Sequence, residues 1–394
     1  MALSRRQFVQ TVGIGAGAAL TTSVWGRGRE HSIWSAIEPD LEAVGSGVIC
    51  IASNENPVGP GPKVLDSLRT FLEGGRRPGR YSGQVNDLTD AIAGHFKVKP
   101  DTVLLGEGST EILRAATQVF TSKTKALVGT IPTYEECAGY AELIGNPVRG
   151  VKLNADLKMD LDALLAAAKG AGLVFYCNPN NPVSTYVGAK ATRDFLTKMT
   201  AQSPETTILI DEAYFDYVTD PDHETHVPFA LEHPNVIVAR TFSKAYGMAG
   251  LRQGYVIGQP DTLRKLRPWT SPSGTGSLNV FGLAAATVAI GQDATFTTNE
   301  RNRNKDVREF VTKWFKDRGM KPADCQANFM FVDTGMPAKE FRDACRAKNV
   351  LVGRDFPPYE KTHARISLGT MDEMQKAVKV FGDVLAKKTT TAAA

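Results

Sequence analysis

From about residue 100 onward, short apolar runs alternate along the chain with longer segments whose apolar residues recur at helical spacing. Glu111–Phe120 and Leu161–Ala168 have the helical pattern. Thr207–Ile210 is a continuous apolar run, as expected for a strand that is buried on both faces. Strands that alternate with helices predict an α/β fold, with a mostly parallel central sheet and helices on both faces. The predicted strands are Thr102–Leu105, Ala126–Gly129, Leu173–Tyr176, Thr207–Ile210, Val236–Ala239 and Tyr255–Ile257.

The pattern changes after Thr297, which predicts a second, smaller α+β domain. A charged, helix-like segment at Asn299–Arg318 precedes two β-like runs, Phe329–Asp333 and His363–Leu368, with a helix between them. We therefore divide the chain into a leader at residues 1–30, an N-terminal segment at 31–75 that joins the small domain, a large domain at 76–290, a small domain at 291–386 and a disordered tail at 387–394.

The first 30 residues have the layout of a targeting segment. Arg5-Arg6 is followed by Gln-Phe and then by an apolar stretch from Val12 to Val24, and no acidic residue precedes Glu30. The paired arginines resemble the twin-arginine signal, which directs folded proteins across the bacterial inner membrane. We therefore predict export to the periplasm; the alternative is a frayed basic terminus on a cytoplasmic protein.

Composition and charge exclude several classes of protein. The chain has 394 residues, of which 42% are hydrophobic and 22% charged, and its formal net charge of +4 is concentrated in the leader. A nearly neutral body does not favour nucleic-acid binding, and no apolar run is long enough for a transmembrane helix. The 5 cysteines are too widely spaced for a metal site or a disulfide framework, so we expect buried thiols and no metal.

Polar clusters follow five of the predicted strands, at the edge where ligands bind in an open parallel sheet. Taken one at a time, most have an ordinary explanation, such as a helix N-cap, a core tyrosine or a turn. Asp211 is different, because a carboxylate directly after an apolar strand is costly to bury without a cationic partner. The clusters are Gly106–Glu111, Pro132–Tyr134, Asn178–Pro182, Asp211–Tyr214 and Thr241–Arg252.

One ligand, pyridoxal 5′-phosphate, would satisfy all five clusters. A helix N-terminus with glycines and hydroxyls binds phosphate, a carboxylate keeps a pyridine nitrogen protonated, and a lysine amine reacts with a carbonyl carbon. We therefore predict this cofactor, with its phosphate at Gly108, Ser109, Thr110, Ser243 and Arg252, its ring covered by Tyr134, its ring nitrogen at Asp211, its phenolic oxygen at Tyr214 and Asn181, and its carbonyl carbon at Lys244.

The same segments resemble the class I and II aminotransferases of fold type I, and within them most closely the histidinol-phosphate aminotransferase branch. The resemblance extends over about residues 50–370. It implies that Lys244 holds the cofactor as a Schiff base, that Arg365 binds the substrate α-carboxylate, and that Tyr81 reaches the cofactor phosphate of the neighbouring subunit in a homodimer. Asn54 and Asn56 are expected to bind substrate as well. It is carried by Asn54–Pro60, Gly106–Glu111, Pro132–Tyr134, Asn178–Pro182, Asp211–Tyr214, Ser243–Gly247 with Arg252, and Arg365–Gly369.

These observations together predict a pyridoxal-phosphate-dependent aminotransferase that acts on an amino acid or a related amine and a 2-oxo acid. Lys244, Asp211 and Tyr214 are the expected catalytic residues, with Lys244 moving a proton at the substrate Cα. The turn after Asn181 reads Pro-Val-Ser where the family commonly has Pro-Thr-Gly, a difference that concerns the substrate. Two alternatives stay open: a lyase or cyclase with the same cofactor, and a non-catalytic cofactor-binding protein.

Overall fold

The computed structural model describes residues 47–75, 79–80, 85–271, 277–291 and 295–391, with side chains up to residue 386. The predicted leader at residues 1–30 and the predicted role of Tyr81 lie outside these ranges. The described residues belong to one compact unit.

A seven-stranded sheet forms the centre of this unit, as the sequence predicts. Its strands are β2 (Val103–Glu107), β3 (Leu127–Ile131), β4 (Val148–Lys152), β5 (Leu173–Cys177), β6 (Thr207–Asp211), β7 (Val236–Thr241) and β8 (Gln253–Gly258). They lie in the order β2-β8-β7-β6-β5-β3-β4, and only β8 runs antiparallel to its neighbours. Since β5, β6, β7 and β8 are buried along their whole length, both faces of the sheet are covered.

Strand β4 was not predicted, because its sequence does not look like a buried strand. It reads Val-Arg-Gly-Val-Lys, and only Val151 in it is buried. The strand pairs with β3 alone at the edge of the sheet, where one buried side chain is enough. A local pattern of apolar residues therefore misses it.

The helices of the described residues follow and connect these strands. They are α1 (Pro62–Glu73), α2 (Val85–Phe96), α3 (Gly108–Phe120), α4 (Glu136–Leu143), α5 (Leu161–Ala167), α6 (Ala189–Gln202), α7 (Val227–Glu232), α8 (Pro260–Leu266), α9 (Val280–Gly291), α10 (Thr295–Lys316), α11 (Ala338–Arg346) and α12 (Met371–Thr391). None of the helices within the described ranges is long and apolar enough to cross a membrane. Helix α12 ends at Thr391, within the segment 387–394 for which we predict disorder, and that expectation stays a prediction.

Four more strands lie outside the central sheet. The predicted strands β9 (Phe329–Asp333) and β11 (His363–Ser367) are present and pair antiparallel, while β1 (Ile49–Ile51) pairs in parallel with β10 (Val350–Val352). Strands β9, β10 and β11 share a second hydrophobic core with α10, α11 and α12, separate from the core around the central sheet. The pairing of β1 with β10 attaches the N-terminal segment to this C-terminal part of the fold.

Candidate active site

The predicted polar clusters meet along one edge of the central sheet. Strands β3, β5, β6 and β7 run parallel, so their carboxyl ends lie at the same edge. Asp211 is the last residue of β6, and Ser243 and Lys244 follow the end of β7. The beginning of α3 brings Ser109 and Thr110 to the same site.

Lys244 has the properties of a reactive amine. Its Nζ donates a hydrogen bond to the carbonyl oxygen of Ser53 at 3.1 Å and lies 5.6 Å from the ring centre of Tyr214. Burial, and then the positive charge of Arg365, lowers the pKa of Lys244 to about 8. A larger share of this amine is therefore neutral near physiological pH than for an ordinary lysine, and only the neutral amine is nucleophilic.

Among the described residues, no cationic side chain is hydrogen-bonded to the buried carboxylate of Asp211. The residue is 2% exposed. Its carboxylate accepts hydrogen bonds from the backbone N–H of Ala213 at 3.1 Å and, more weakly, from the thiol of Cys177 at 4.0 Å, both neutral donors. Burial raises the pKa of Asp211 to about 7. A protonated ring nitrogen next to this carboxylate would supply the missing positive charge, so the residue fits the pyridine end of the predicted cofactor.

The N-terminus of α3 and Arg252 form an anion site. No side chain caps the helix at Glu107, which leaves its first N–H groups for a ligand. The guanidinium of Arg252 lies so close to Gly108 that an added Cβ there would clash with NH2, and Gly108 has a φ of +71°. The same guanidinium donates to Ser243 Oγ at 3.4 Å. Arg252 therefore lies between Gly108, at the start of α3, and Ser243, which follows β7.

Tyr134 lies beside this anion site. Burial raises the pKa of Tyr134 to about 12. A hydrogen bond with the side chain of Thr110, in the first turn of α3, acts against this increase. Asp211 and Arg252 both influence this pKa electrostatically, so the Tyr134 hydroxyl lies near the groups that we assign to the ring nitrogen and the phosphate. This position is suitable for covering a planar ring.

Tyr214 is held by Asn54, for which we predicted a substrate contact. The Nδ2 of Asn54 donates to the hydroxyl of Tyr214 at 3.1 Å, and its Oδ1 accepts from Ser367 Oγ at 2.7 Å. Asn328 Nδ2 donates to the backbone carbonyl of Asn54 at 3.0 Å. Both polar ends of the buried Asn54 side chain therefore have protein partners, and these contacts orient Tyr214. The predicted substrate contact of Asn54 stays a prediction.

Asn56 likewise has partners within the protein. Its Nδ2 donates to the carbonyl of Ala245 at 3.0 Å, and its Oδ1 accepts from the N–H of Val58 at 3.0 Å. Because Ala245 follows Lys244 in the chain, this contact fixes the backbone that carries the lysine. The predicted substrate contact of Asn56 stays a prediction beside this structural contact.

Arg365 is a buried cation with unused hydrogen-bond donors. Its NH1 donates to Asn181 Oδ1 at 2.9 Å and its NH2 to the carbonyl of Ala52 at 2.7 Å. A guanidinium has five N–H donors, and Nε has no partner among the described residues. Burial lowers the pKa of Arg365 to about 10. An anionic group would restore the solvation that this arginine loses by burial, so Arg365 fits the predicted binding of an acidic substrate group.

Sequence reasoning missed several residues of this site. Ser367 and Asn328 hold Asn54, and the carbonyls of Ala52 and Ser53 orient Arg365 and Lys244. Ser367 lies in the Arg365–Gly369 motif, so a signal for it was present. Backbone carbonyls carry no such signal, because every residue has one.

The arrangement combines a nucleophilic amine, a carboxylate that needs a cation, an anion site at a helix N-terminus and a second anion site at Arg365. Among the described residues, these groups fit a phosphorylated aldehyde with a basic ring nitrogen, which is the chemistry of pyridoxal 5′-phosphate. The second anion site then accepts an acidic group of the substrate.

Comparisons with known proteins agree with this description. The family model for aminotransferase class I and II matches residues 46–381. The histidinol-phosphate aminotransferase of Moorella thermoacetica is 33% identical over 348 residues, which cover 86% of this chain and 86% of the relative. That of Halalkalibacterium halodurans is 30% identical over 347 residues, which cover 87% of this chain and 91% of the relative.

Solved structures show the same fold. The histidinol-phosphate aminotransferase of Sinorhizobium meliloti in complex with pyridoxal 5′-phosphate has a TM-score of 0.79 and 25% identity, with 98% of this chain and 99% of that chain covered. The aspartate aminotransferase of Thermotoga maritima has a TM-score of 0.78 at 18% identity, with 92% and 99% covered, and supports the fold alone.

Proposed function

Since the chain belongs to the class I and II aminotransferases and is a pyridoxal-phosphate-dependent transaminase, we propose that it transfers the amino group of histidinol phosphate, or of a closely similar amine, to a 2-oxo acid. The observation that carries this proposal is the buried anion site at Arg365, whose charge acts directly on the amine of Lys244. A substrate with an amine and one acidic group fits these two positions. The histidinol-phosphate aminotransferases, to which the chain is about 30% identical over most of its length, support the choice of substrate.

When bound, pyridoxal 5′-phosphate supplies a carbonyl carbon that condenses with amines and a protonated ring that accepts the electrons left at the substrate Cα. Lys244 would hold it covalently. The Nζ of Lys244 would also move the proton of the substrate, as the general base that removes it from Cα and as the general acid that returns it. The lowered pKa of Lys244 suits both directions of this transfer, because it lies close to working pH.

Asp211 and Tyr214 would hydrogen-bond the ring nitrogen and the phenolic oxygen of the cofactor, respectively. Asp211 keeps the ring nitrogen protonated, and this ion pair also removes the cost of its own burial. Tyr214, oriented by Asn54, donates its hydroxyl hydrogen to the phenolic oxygen. Asn181 accepts from Arg365 through Oδ1, so its amide N–H groups remain as donors for the same oxygen.

The remaining predicted residues would determine where the cofactor and the substrate lie. Ser109, Thr110, Ser243 and Arg252 anchor the phosphate, and Tyr134 covers the ring. Arg365 binds the acidic group of the substrate through N–H groups that the protein does not use. Holding both ligands in this way places the Cα proton within reach of Lys244.

An amino-donor screen tests the proposed substrate. Purified enzyme with 2-oxoglutarate is given histidinol phosphate, histidinol or a standard amino acid, and formation of glutamate is measured, with Lys244→Ala as the control. We expect the highest kcat/KM with histidinol phosphate and a large loss with histidinol, which lacks the acidic group. Equal rates with and without the phosphate would contradict binding of this group at Arg365.

We further propose a homodimer with shared active sites, in which Tyr81 contacts the cofactor phosphate of the partner. Leu65 and Leu72 lie two turns apart on the same face of α1 and are 43% and 56% exposed. Trp269 is 53% exposed. Where exposed apolar side chains form one contiguous patch, they are typical of a surface that binds another protein. Light scattering of the cofactor-loaded enzyme should give twice the mass of the chain; a fully active monomer would contradict the proposal.

Export through the twin-arginine route is proposed from Arg5-Arg6 and the apolar stretch that follows. Replacing both arginines with lysine should retain the protein in the cytoplasm, as measured by cell fractionation. If the unmodified protein is already entirely cytoplasmic, the segment is not an export signal.

A further inference from the structure

Ser184 lies just beyond the turn Asn178–Pro182, in a backbone conformation that is unusual for serine. Its φ of +64° is in the left-handed region, which favours glycine because a Cβ there comes too close to the backbone. Glycine, which stands here in the common Pro-Thr-Gly form of the turn, would avoid this strain. Ser184 is completely buried. A strained residue persists only where its surroundings hold it, so we examined what its side chain contacts.

The side chain of Ser184 joins the turn to the segment that leads into β9. Its Oγ accepts a hydrogen bond from the backbone N–H of Ala327 at 3.0 Å. Burial raises the pKa of the Cys325 thiol to about 11, and a hydrogen bond with the Ser184 side chain is among the contacts that act against this increase. The carbonyl of Ser184 accepts from the N–H of Gln326 at 2.8 Å, a bond that any residue could make. Only the hydroxyl contacts therefore require serine.

On its other side, Ser184 is attached firmly to the turn. The N–H of Ser184 donates to the carbonyl of Asn180 at 2.6 Å, and the N–H of Asn180 donates to the carbonyl of Thr185 at 2.9 Å. The Asn180 side chain accepts from Thr133 Oγ1 at 2.7 Å and donates to the carbonyl of Pro132 at 3.0 Å, next to β3. The turn is thus fixed to the central sheet, and the segment at residues 325–327 is held against it.

The segment that Ser184 holds carries the substrate-binding arginine into the site. Strand β9 begins two residues after Ala327 and pairs antiparallel with β11, with Phe331 opposite Arg365. Arg365 NH1 donates to Asn181 Oδ1 at 2.9 Å, and Asn181 lies in the same turn three residues before Ser184. The bond from Ala327 to Ser184 and the bond from Arg365 to Asn181 therefore connect the same two parts of the fold.

We propose that Ser184 is a positioning residue for Asn181 and Arg365: the bond to its Oγ holds β9 and β11 against the turn at the distance at which these two side chains meet. The inference rests on the proposed function, in which Arg365 binds the acidic group of the substrate and the amide N–H groups of Asn181 donate to the phenolic oxygen. Without the hydroxyl, the N–H of Ala327 is buried with no acceptor, which favours a shift of the segment and of Arg365 with it. Asn181 then loses the partner that orients its amide.

Two variants remove the hydroxyl but differ in backbone strain, since Ser184→Ala keeps a Cβ at the positive φ and Ser184→Gly does not. For both, we measure the pH midpoint of the absorbance change of the covalently held cofactor. Donors that stabilise an ionised phenolic oxygen make the cofactor lose its proton more readily, so weaker donation by Asn181 should raise this midpoint. We expect a rise of about 0.3 to 1 pH unit in both variants, the range that follows from the net contribution of one hydrogen bond.

Binding of an unreactive acid measures the effect on Arg365 without turnover. The affinity of the cofactor-loaded enzyme for butyrate, measured by titration calorimetry, should fall by about two- to tenfold in both Ser184 variants. In an Asn181→Ala background, Ser184→Gly should cause no further rise of the pH midpoint, because the residue through which it acts on the phenolic oxygen is absent.

Thr206→Val is the matched control. The Thr206 hydroxyl is as completely buried as that of Ser184 and donates to the backbone carbonyl of Ala171 at 2.9 Å. The residue directly precedes β6, at the opposite end of this strand from Asp211. Its replacement should lower stability to urea, but it should change neither the pH midpoint nor the affinity for butyrate.

An unchanged pH midpoint in both Ser184 variants would overturn the inference, whatever their stability, and would show that the hydroxyl only holds two segments together. A shift in Ser184→Ala that is absent in Ser184→Gly would overturn it as well, because backbone strain would then be the cause. A further shift in the Asn181→Ala background would show that Ser184 does not act through Asn181. Failure of the proposed substrate is a different result, since neither measurement uses histidinol phosphate.

Discussion

Replacing Asp211 with asparagine should stabilise the cofactor-free protein at pH 8, although it removes a residue that we assign to catalysis. The carboxylate is almost fully buried and is hydrogen-bonded only to neutral donors. Asparagine keeps an oxygen that can accept the hydrogen bond of Ala213, and it removes the ionisable group. Without the cofactor, the charge at position 211 is a net cost to the folded state, because the hydrogen bond from Ala213 and the charge of Lys244 do not offset burial.

The magnitude follows from the pKa of Asp211, which burial raises from 3.8 to about 7 in the folded protein. Between these two values the folded protein binds more protons than the unfolded chain, so its stability falls as pH rises. Each pH unit in this window costs about 1.4 kcal/mol. The stability difference between Asp211→Asn and the unmodified protein should therefore widen by about 2–3 kcal/mol between pH 5 and pH 8.

Urea unfolding of the cofactor-free proteins at pH 5 and pH 8 measures this difference. The adjacent Glu212 provides a matched control, since it is equally buried but accepts hydrogen bonds from His226 N at 2.9 Å and Thr225 Oγ1 at 2.8 Å. Burial alone would raise the pKa of Glu212, but His226 and the charge of Arg240 leave it below its usual value. Glu212→Gln should therefore destabilise the protein at pH 8.

Adding pyridoxal 5′-phosphate should reverse the order of stability at position 211, because only the carboxylate gains an ion pair with the ring nitrogen. If Asp211→Asn is no more stable than the unmodified cofactor-free protein at pH 8, or if the difference does not grow with pH, the reasoning is refuted. Near-normal activity of this variant would independently show that the carboxylate is structural.

Further predictions concern how the cofactor is held. Lys244→Ala should fold but lose turnover and the absorbance of covalently held cofactor, and undiminished transamination would contradict the assignment. In the unmodified protein, the rate of cofactor attachment should level off above about pH 8, because burial lowers the pKa of Lys244 to about 8; a rate that keeps rising to pH 10.5 would indicate an ordinary lysine. Gly108→Ala should weaken cofactor binding by forcing Arg252 away, as measured by cofactor titration, while Gly139→Ala, where no atom lies within 4 Å of the added carbon, should not. Tyr81→Phe should lower cofactor affinity about ten- to a hundredfold through the loss of one hydrogen bond to a charged acceptor, and unchanged affinity would remove the shared-site proposal.

The central sheet could be predicted because its strands are specified by local sequence. Five fully buried residues in β6 need an apolar run, and this run is visible without knowledge of any partner strand. Strands β1 and β10, with three residues each, were missed because so short a segment carries no periodic pattern. They are strands only because they pair with each other across most of the chain.

The cofactor and the type of reaction could also be predicted from the sequence. Lys244, Asp211 and Arg252 stand out because a charged side chain next to a buried strand is unusual. The family match and the relatives confirm the fold class, the cofactor and the aminotransferase activity that this reasoning predicted. The assignment of individual residues to the cofactor and the substrate stays a prediction.

Sequence by itself therefore determined the sheet, the edge at which the site lies and the class of chemistry, since each depends on residue types that follow one another in the chain. Only the tertiary structure decided which side chains are partners. The contacts of Asn54 and Asn56 with Tyr214 and Ala245, for example, follow from the packing and carry no signal in the sequence. Glu135 and Arg354 form an ion pair because α4 and the segment after β10 are packed together, and hydrogen bonds and charges act over a few ångströms in space regardless of separation along the chain.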